Sequence, residues 1–321
     1  MKRSLLALPV AALLAVGGCG SGSDAAETGA GSPSAEPALQ VTAAFYPLQW
    51  ASERVGGDLV AVEGLTKPGS EPHDLELTPK AVAALASSDV VVHLAGFQPA
   101  VDDAVRTQAR EAGFDVAPAA DLTIAASDDG HDHAGESAEE HAEHADEGAT
   151  DPHFWLDPVR FQSVATALGE RFASADPEHA ATYRANAKAL VADLAALHAE
   201  FEAGLAECRS DELVTAHVAF AYLAERYGLA QEGISGLSPD AEPDAATLRE
   251  LTAHVREHGV TTVYGETLVD PALAQTLARE TGATVAVLDP IEGLTDASKG
   301  SDYLEVMRSN LEALRAGQQC R

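Results

Sequence analysis

Basic residues are scarce in this chain of 321. Lys and Arg number 20 against 51 Asp and Glu, a formal net charge of -31. A nucleic-acid binder needs a basic footprint to neutralise phosphates, so the composition argues against that class. The acidic balance is compatible with cations as ligands, although solubility alone would also explain it. Long apolar runs are missing too. The one apolar run, residues 5–16, is too short to span a bilayer as a stable helix. There are only three cysteines. An HExxH helix, the signature of many zinc hydrolases, is absent.

The N-terminus reads as a targeting segment. Lys2 and Arg3 precede the apolar run, which ends in Val16-Gly17-Gly18-Cys19. This is the pattern of a lipoprotein signal: residues 1–18 form a signal peptide, cleavage falls before Cys19, and Cys19 takes lipid. Residues 19–38, rich in Ser, Gly, Ala and Pro, read as a disordered tether. The expected location is extracytoplasmic, on the outer face of the cell membrane, with the lipid as the only membrane contact. With Cys19 so used, Cys208 and Cys320 remain as a pair in an oxidising compartment, and a disulfide is expected between them.

About 280 residues remain, enough for two lobes with their own cores. Strand and helix alternate from residue 39. Residues 40–45, 59–63, 89–94 and 114–116 read as strands, with helical stretches between them. The alternation starts again at residue 212, with strands at 212–216, 260–264 and 284–288. Such βα repeats imply an α/β fold with mostly parallel sheets flanked by helices. Between the halves, Asp176-Pro177 opens a helix with Leu190, Leu194, Leu197, Phe201 and Leu205 at helical spacing. At about 30 residues and roughly 45 Å it would be a rigid spine. The expected domains are an N-terminal lobe (39–176), a linking helix (177–207) and a C-terminal lobe (208–321), with a cleft between the lobes.

Histidine carries the chemistry. Residues 127–150 hold His131, His133, His141 and His144 among many acids, with no Lys, no Arg and no aliphatic larger than Ala. Such a segment cannot build a core and reads as a mobile loop able to capture metal only weakly. His153 follows at once, between Pro152 and the aromatic pair Phe154-Trp155. His73 lies in a turn-rich loop, His217 at the end of a strand, and Asp289 directly after another. Ligands of parallel sheets gather at the carboxyl ends of strands. Three imidazoles and one carboxylate there would suit tetrahedral zinc. Glu266 also follows a strand and could reach the cleft. Asp289 is preferred as the ligand because Pro290 stiffens the turn presenting it, and Glu266 is expected to orient a ligand imidazole instead. His93 reads as a core residue, and His179 and His198 as surface ones. The i,i+4 pair His254 and His258 has a spacing that can bind metal, but it reads as helix-end histidines that suit the negative end of the dipole.

Four stretches together resemble one family. They are Glu71-Pro72-His73-Asp74 with Thr78-Pro79, residues 151–158 (DPHFWLDP), Thr215-Ala216-His217 with Phe220 and Tyr222, and Leu288-Asp289-Pro290. They look like the zinc and manganese solute-binding lipoproteins of ABC transporters, the ZnuA-like cluster A-I family. The resemblance implies two α/β lobes joined by a rigid helix, and a metal bound between them by His73, His153, His217 and Asp289. It also implies delivery of the ion to a membrane permease, most simply by a monomer. A His-rich loop before the second ligand, and His rather than Glu at position 217, favour Zn2+ over Mn2+. The alternatives are a manganese-binding homologue, a zinc hydrolase with Glu266 as base, and an adhesin lipoprotein with incidental metal. Four ligands would leave a hydrolase no open position for water.

Overall fold

The computed structural model describes residues 37–126, 150–239, 241 and 243–321. The signal peptide, Cys19, nearly all of the tether and the four histidines of the 127–150 run lie outside the described residues.

The first half builds β1 (Leu39–Ala43), α1 (Tyr46–Gly56), β2 (Val60–Gly64), α2 (Pro79–Ala86), β3 (Val90–His93), α3 (Pro99–Gln108), β4 (Gly113–Asp115) and α4 (Ala117–Ala120). Its sheet runs in the order β2-β1-β3-β4 and every pair is parallel. β3 is buried at all four positions, so an unbroken apolar run rather than an alternating one marks it in the sequence. Helices return the chain between parallel strands, and local chemistry starts them. Thr78 Oγ1 accepts from Ala81 N, with Pro79 in the first turn.

Two helices follow, α5 (Pro158–Ala175) and α6 (Ala180–Leu205). Asp157 caps α5 by accepting from Val159 N. The spine is shorter than its sequence suggests. A separate turn, Pro177–His179, precedes α6, which has 26 residues and a length of about 39 Å. Leu190, Leu194, Leu197, Phe201 and Leu205 are all buried along it.

The second half adds β5 (Glu212–His217), α7 (Ala221–Tyr227), β6 (Ala230–Ser235), α8 (Ala245–Glu257), β7 (Thr262–Gly265), α9 (Ala272–Thr281), β8 (Thr284–Val287) and α10 (Tyr303–Gly317). Its sheet repeats the first: β6-β5-β7-β8, all parallel. β6 is not anticipated by the sequence. Its polar start, Ala230-Gln231-Glu232-Gly233, gives no apolar run, because an edge strand is only partly covered. β8 is the opposite edge, and Val285 and Val287 are exposed on it.

The larger apolar core is continuous across both halves. It takes in Val41 and Val92 of the first sheet, Leu194 and Phe201 of α6, Leu213 and Tyr264 of the second sheet, and Val306 and Met307 of α10. A smaller core, including Val214, Leu251 and Val263, belongs to the second half alone. Cys208 and Cys320 are joined in a disulfide across a sequence separation of 112. It ties the chain after α6 to the end of α10, where Arg209 N and Ser210 N also donate to Gln318 O.

Candidate metal centre

Each half sends side chains toward one point from the carboxyl ends of its strands. His73 comes from the loop after β2, and Gln98 Nε2 holds that loop by donating to Pro72 O at 2.9 Å. His153 comes from the segment entering α5, fully buried, with the Trp155 ring centroid 5.2 Å from its own. His217 is the last residue of β5. The fourth side chain is Glu292, in the loop after β8.

The three imidazoles converge on one carboxylate oxygen. Glu292 Oε1 lies 3.2 Å from His73 Nε2, 3.1 Å from His153 Nε2 and 3.3 Å from His217 Nε2. The nitrogens of His73 and His153 are themselves 3.4 Å apart. These four residues group as a set able to hold a metal ion, with ligand atoms all within 4.8 Å of one another. His217 Nε2 is buried without a hydrogen bond of good geometry, as a nitrogen shaped for a metal would be.

Carboxylates behind the rings fix their orientation. His153 Nδ1 lies 2.8 Å from Asp151 Oδ1, and His217 Nδ1 lies 2.7 Å from Glu266 Oε1. An Nδ1–H donated outward leaves Nε2 free to face the centre. The same acids brace the backbone: His153 N donates to Asp151 Oδ1 and His217 N to Glu266 Oε1. Phe97 meets the His73 ring edge-on, with centroids 4.7 Å apart.

Electrostatics follow from this packing. Burial opposes charge on His153, but Asp151 and Glu292 outweigh it and raise its pKa. His217 is raised well above the ordinary histidine value in the same way, burial being overcome by Glu266 and then Glu292. Burial also opposes charge on Glu292, yet the three imidazoles hold its carboxyl well below the usual range. The buried carboxylate and the two deepest imidazoles thus stabilise one another's charge, a setting in which a cation would be favoured.

Asp289, preferred as the ligand from sequence, does not lie among the side chains grouped at this point. Its carboxylate is committed to its own loop, Oδ1 accepting from Ile291 N and Oδ2 from Ser298 Oγ, both at 2.8 Å. Burial raises its pKa. Its backbone is clamped by Asn310, whose Oδ1 accepts from Asp289 N and whose Nδ2 donates to Asp289 O. Ile291 adopts a left-handed conformation, φ 58°, which is rare for a β-branched residue. That reversal, pinned by Asp289, turns the next residue, Glu292, into the centre. Glu292 lies four residues beyond the strand read at 284–288 and just before Gly293, so only its place in the loop after that strand could have suggested it. Glu266 stands where the sequence reading puts it, behind His217. His93 is buried, its Nδ1 3.4 Å from Asp102 Oδ1. His179 pairs with Asp176, and His198 is half-buried against Tyr227 Oη.

Residues 41–317 match the ZnuA family model, the periplasmic component A of a zinc-uptake complex. The chain belongs to this family. Among curated proteins it is 36% identical over 290 residues to the zinc-binding protein AdcA of Streptococcus pyogenes, covering 88% of the chain and 56% of AdcA. The chain therefore spans about half the length of the AdcA proteins it matches. It is 33% identical to the high-affinity zinc uptake system protein ZnuA of Bacillus subtilis, covering 98% of the chain and 97% of that protein. Among solved structures it resembles the Zn(II)-bound ZnuA-like domain of Streptococcus pneumoniae AdcA. There the TM-score is 0.70 at 33% identity, over 87% of this chain and 98% of that one. The two four-stranded parallel sheets with a long helix between them are the fold of this family. Among the described residues, no helix is long and apolar enough to cross a membrane.

Proposed function

We propose that this chain is an extracytoplasmic zinc-binding protein that captures Zn2+ and delivers it to an ABC-type import permease. His73, His153, His217 and Glu292 are the ligands. The observation that carries this reading is the convergence of three imidazole nitrogens on one buried carboxylate oxygen. Three nitrogens and one oxygen suit tetrahedral zinc, whereas Mn2+ prefers more oxygen. Four protein ligands leave no position for a reactive water, which argues against a hydrolase. The zinc-binding relatives and the zinc-uptake family support the same cargo. Lipid on Cys19 would hold the protein, as a monomer, at the outer face of the membrane beside its permease.

The 127–150 run would add only weak capture. Its ends are stitched together: Ala125 bridges Thr150, and Asp151 N donates to Ile124 O at 2.9 Å. Replacing residues 127–149 by a short linker should therefore leave one tight zinc per chain and remove only weaker binding. Metal content after dialysis, with chelator competition, checks this, and loss of the tight equivalent would refute the cleft as its seat.

The acids behind the rings give a graded test. Glu266→Gln keeps the shape but no longer fixes the His217 tautomer. Zinc affinity should fall on the order of 10–100-fold, with stoichiometry still one in the cleft. An unchanged affinity in competition titration would show that Glu266 does not orient the ring.

A further inference from the structure

A second cluster of ligand-type side chains lies outside the cleft. Glu212 opens β5, the strand that His217 ends, so about 17 Å of extended chain separates it from the candidate centre. His254 and His258 stand four residues apart at the end of α8 and present their rings on one face. Glu212 Oε2 lies 3.0 Å from His254 Nε2, and Glu212 Oε1 lies 2.7 Å from His258 Nδ1. The rings stack, with centroids 4.3 Å apart and planes 18° from parallel. The three ligand atoms lie within 4.8 Å of one another.

The backbone makes this arrangement stiff. Asp244 caps the start of α8 through Ala246 N and Thr247 N, and Leu251 and Val255 bury its inner face. His258 N donates to His254 O, and Gly259 ends the helix at φ 66°. Gln318 Nε2 donates to Glu212 O and fixes the strand end. The negative end of the helix dipole adds to the carboxylate in favouring a cation. The access side is open. Side-chain exposure rises from 15% at Glu212 through 23% at His254 to 44% at His258. A depression of about 400 Å³, lined in part by Arg209, Glu212, His258 and Thr261, adjoins it. Arg209 is turned to Gln319 Oε1 there.

We propose that Glu212, His254 and His258 form a second, weaker site for a borderline first-row divalent cation, Zn2+ or Cu2+. The ion would take His254 Nε2, His258 Nδ1 and a Glu212 oxygen, each ring keeping its proton on the other nitrogen. Water would complete the coordination, so the ion exchanges with solvent and is held less tightly than in the cleft. Two imidazoles and one carboxylate bind Cu2+ more tightly than Zn2+. The site does not rest on the proposed transport role and would pin the start of β5 to the end of α8.

The test is metal stoichiometry on the full chain, with Zn2+ and separately Cu2+ as probes. The wild type should bind one equivalent more than His254→Ala/His258→Ala, with the tight cleft equivalent the same in both. Cu2+ electron paramagnetic resonance should lose a two-nitrogen signature in the variant. If the double variant loses the tight equivalent too, it is misfolded, and His258→Gln, which alters only the most exposed ring, decides. It should weaken the additional equivalent at least tenfold. Equal stoichiometry and affinity in wild type and His258→Gln would overturn the proposal and leave the cluster a clamp at a helix end.

Discussion

Glu292→Gln is expected to weaken zinc binding by more than about 100-fold, beyond what loss of a ring-orienting acid costs. Asp289→Asn is expected to cost less than about tenfold. Both substitutions keep the shape and remove one negative charge, so long-range electrostatics cannot separate them. Contact does. Glu292 Oε1 faces all three imidazole nitrogens, whereas both Asp289 oxygens are spent on Ile291 and Ser298. Asparagine at 289 can still accept from Ile291 N and can donate to Ser298 Oγ, so the left-handed turn survives. Asp289→Ala differs: an orphaned Ile291 N–H would cost about 1–3 kcal/mol of stability and slacken the loop carrying Glu292. Chelator competition for affinity and melting of the metal-free proteins distinguish these cases. If Asp289→Asn proved the more damaging for zinc while leaving the melting temperature unchanged, the ligand would be Asp289 after all.

The second large effect is on stability rather than binding. Removing the Cys208–Cys320 bond by Cys208→Ala/Cys320→Ala should lower unfolding free energy by up to about 4–5 kcal/mol, because a loop of about a hundred residues closes the denatured chain. Denaturant unfolding of the metal-free protein is the measurement, since bound zinc would add its own stabilisation. The cleft should keep its tight zinc equivalent, because the bond lies at the opposite end of β5 from His217. Unchanged unfolding in the double variant would mean that hydrogen bonds such as Arg209 N to Gln318 O already hold the terminus.

The two-lobe α/β plan was legible because buried parallel strands write themselves as runs, Val90 to Val92 being the plainest. The three histidines were legible for a related reason: each sits beside a strong local signal, a Pro turn, an aromatic pair or a strand end. Glu292 was hidden because its direction depends on a backbone reversal at Ile291 and on hydrogen bonds from a helix about twenty residues away. Nothing in local pattern encodes that. β6 was hidden because edge strands do not need apolar runs, and the extra turn before α6 because Pro177 reads equally well as a helix start.

The continuous core also bears on how fast an ion can leave. Swinging the halves apart as rigid bodies would uncover side chains such as Trp155 and Tyr303, each fully buried now and worth roughly 1.5–3 kcal/mol or more. A barrier built from several such terms would make whole-lobe opening a rare event. Of the four converging side chains, only His73 retains appreciable exposure, 12% against 0–1% for the others. It rides on the loop between β2 and α2, where residues 67–69 are open to solvent. The dissociation clock would therefore be set by this one strap lifting, with the deep wall of His153, His217 and Glu292 standing still. Anything that lifted that strap would turn a slow leak into prompt release.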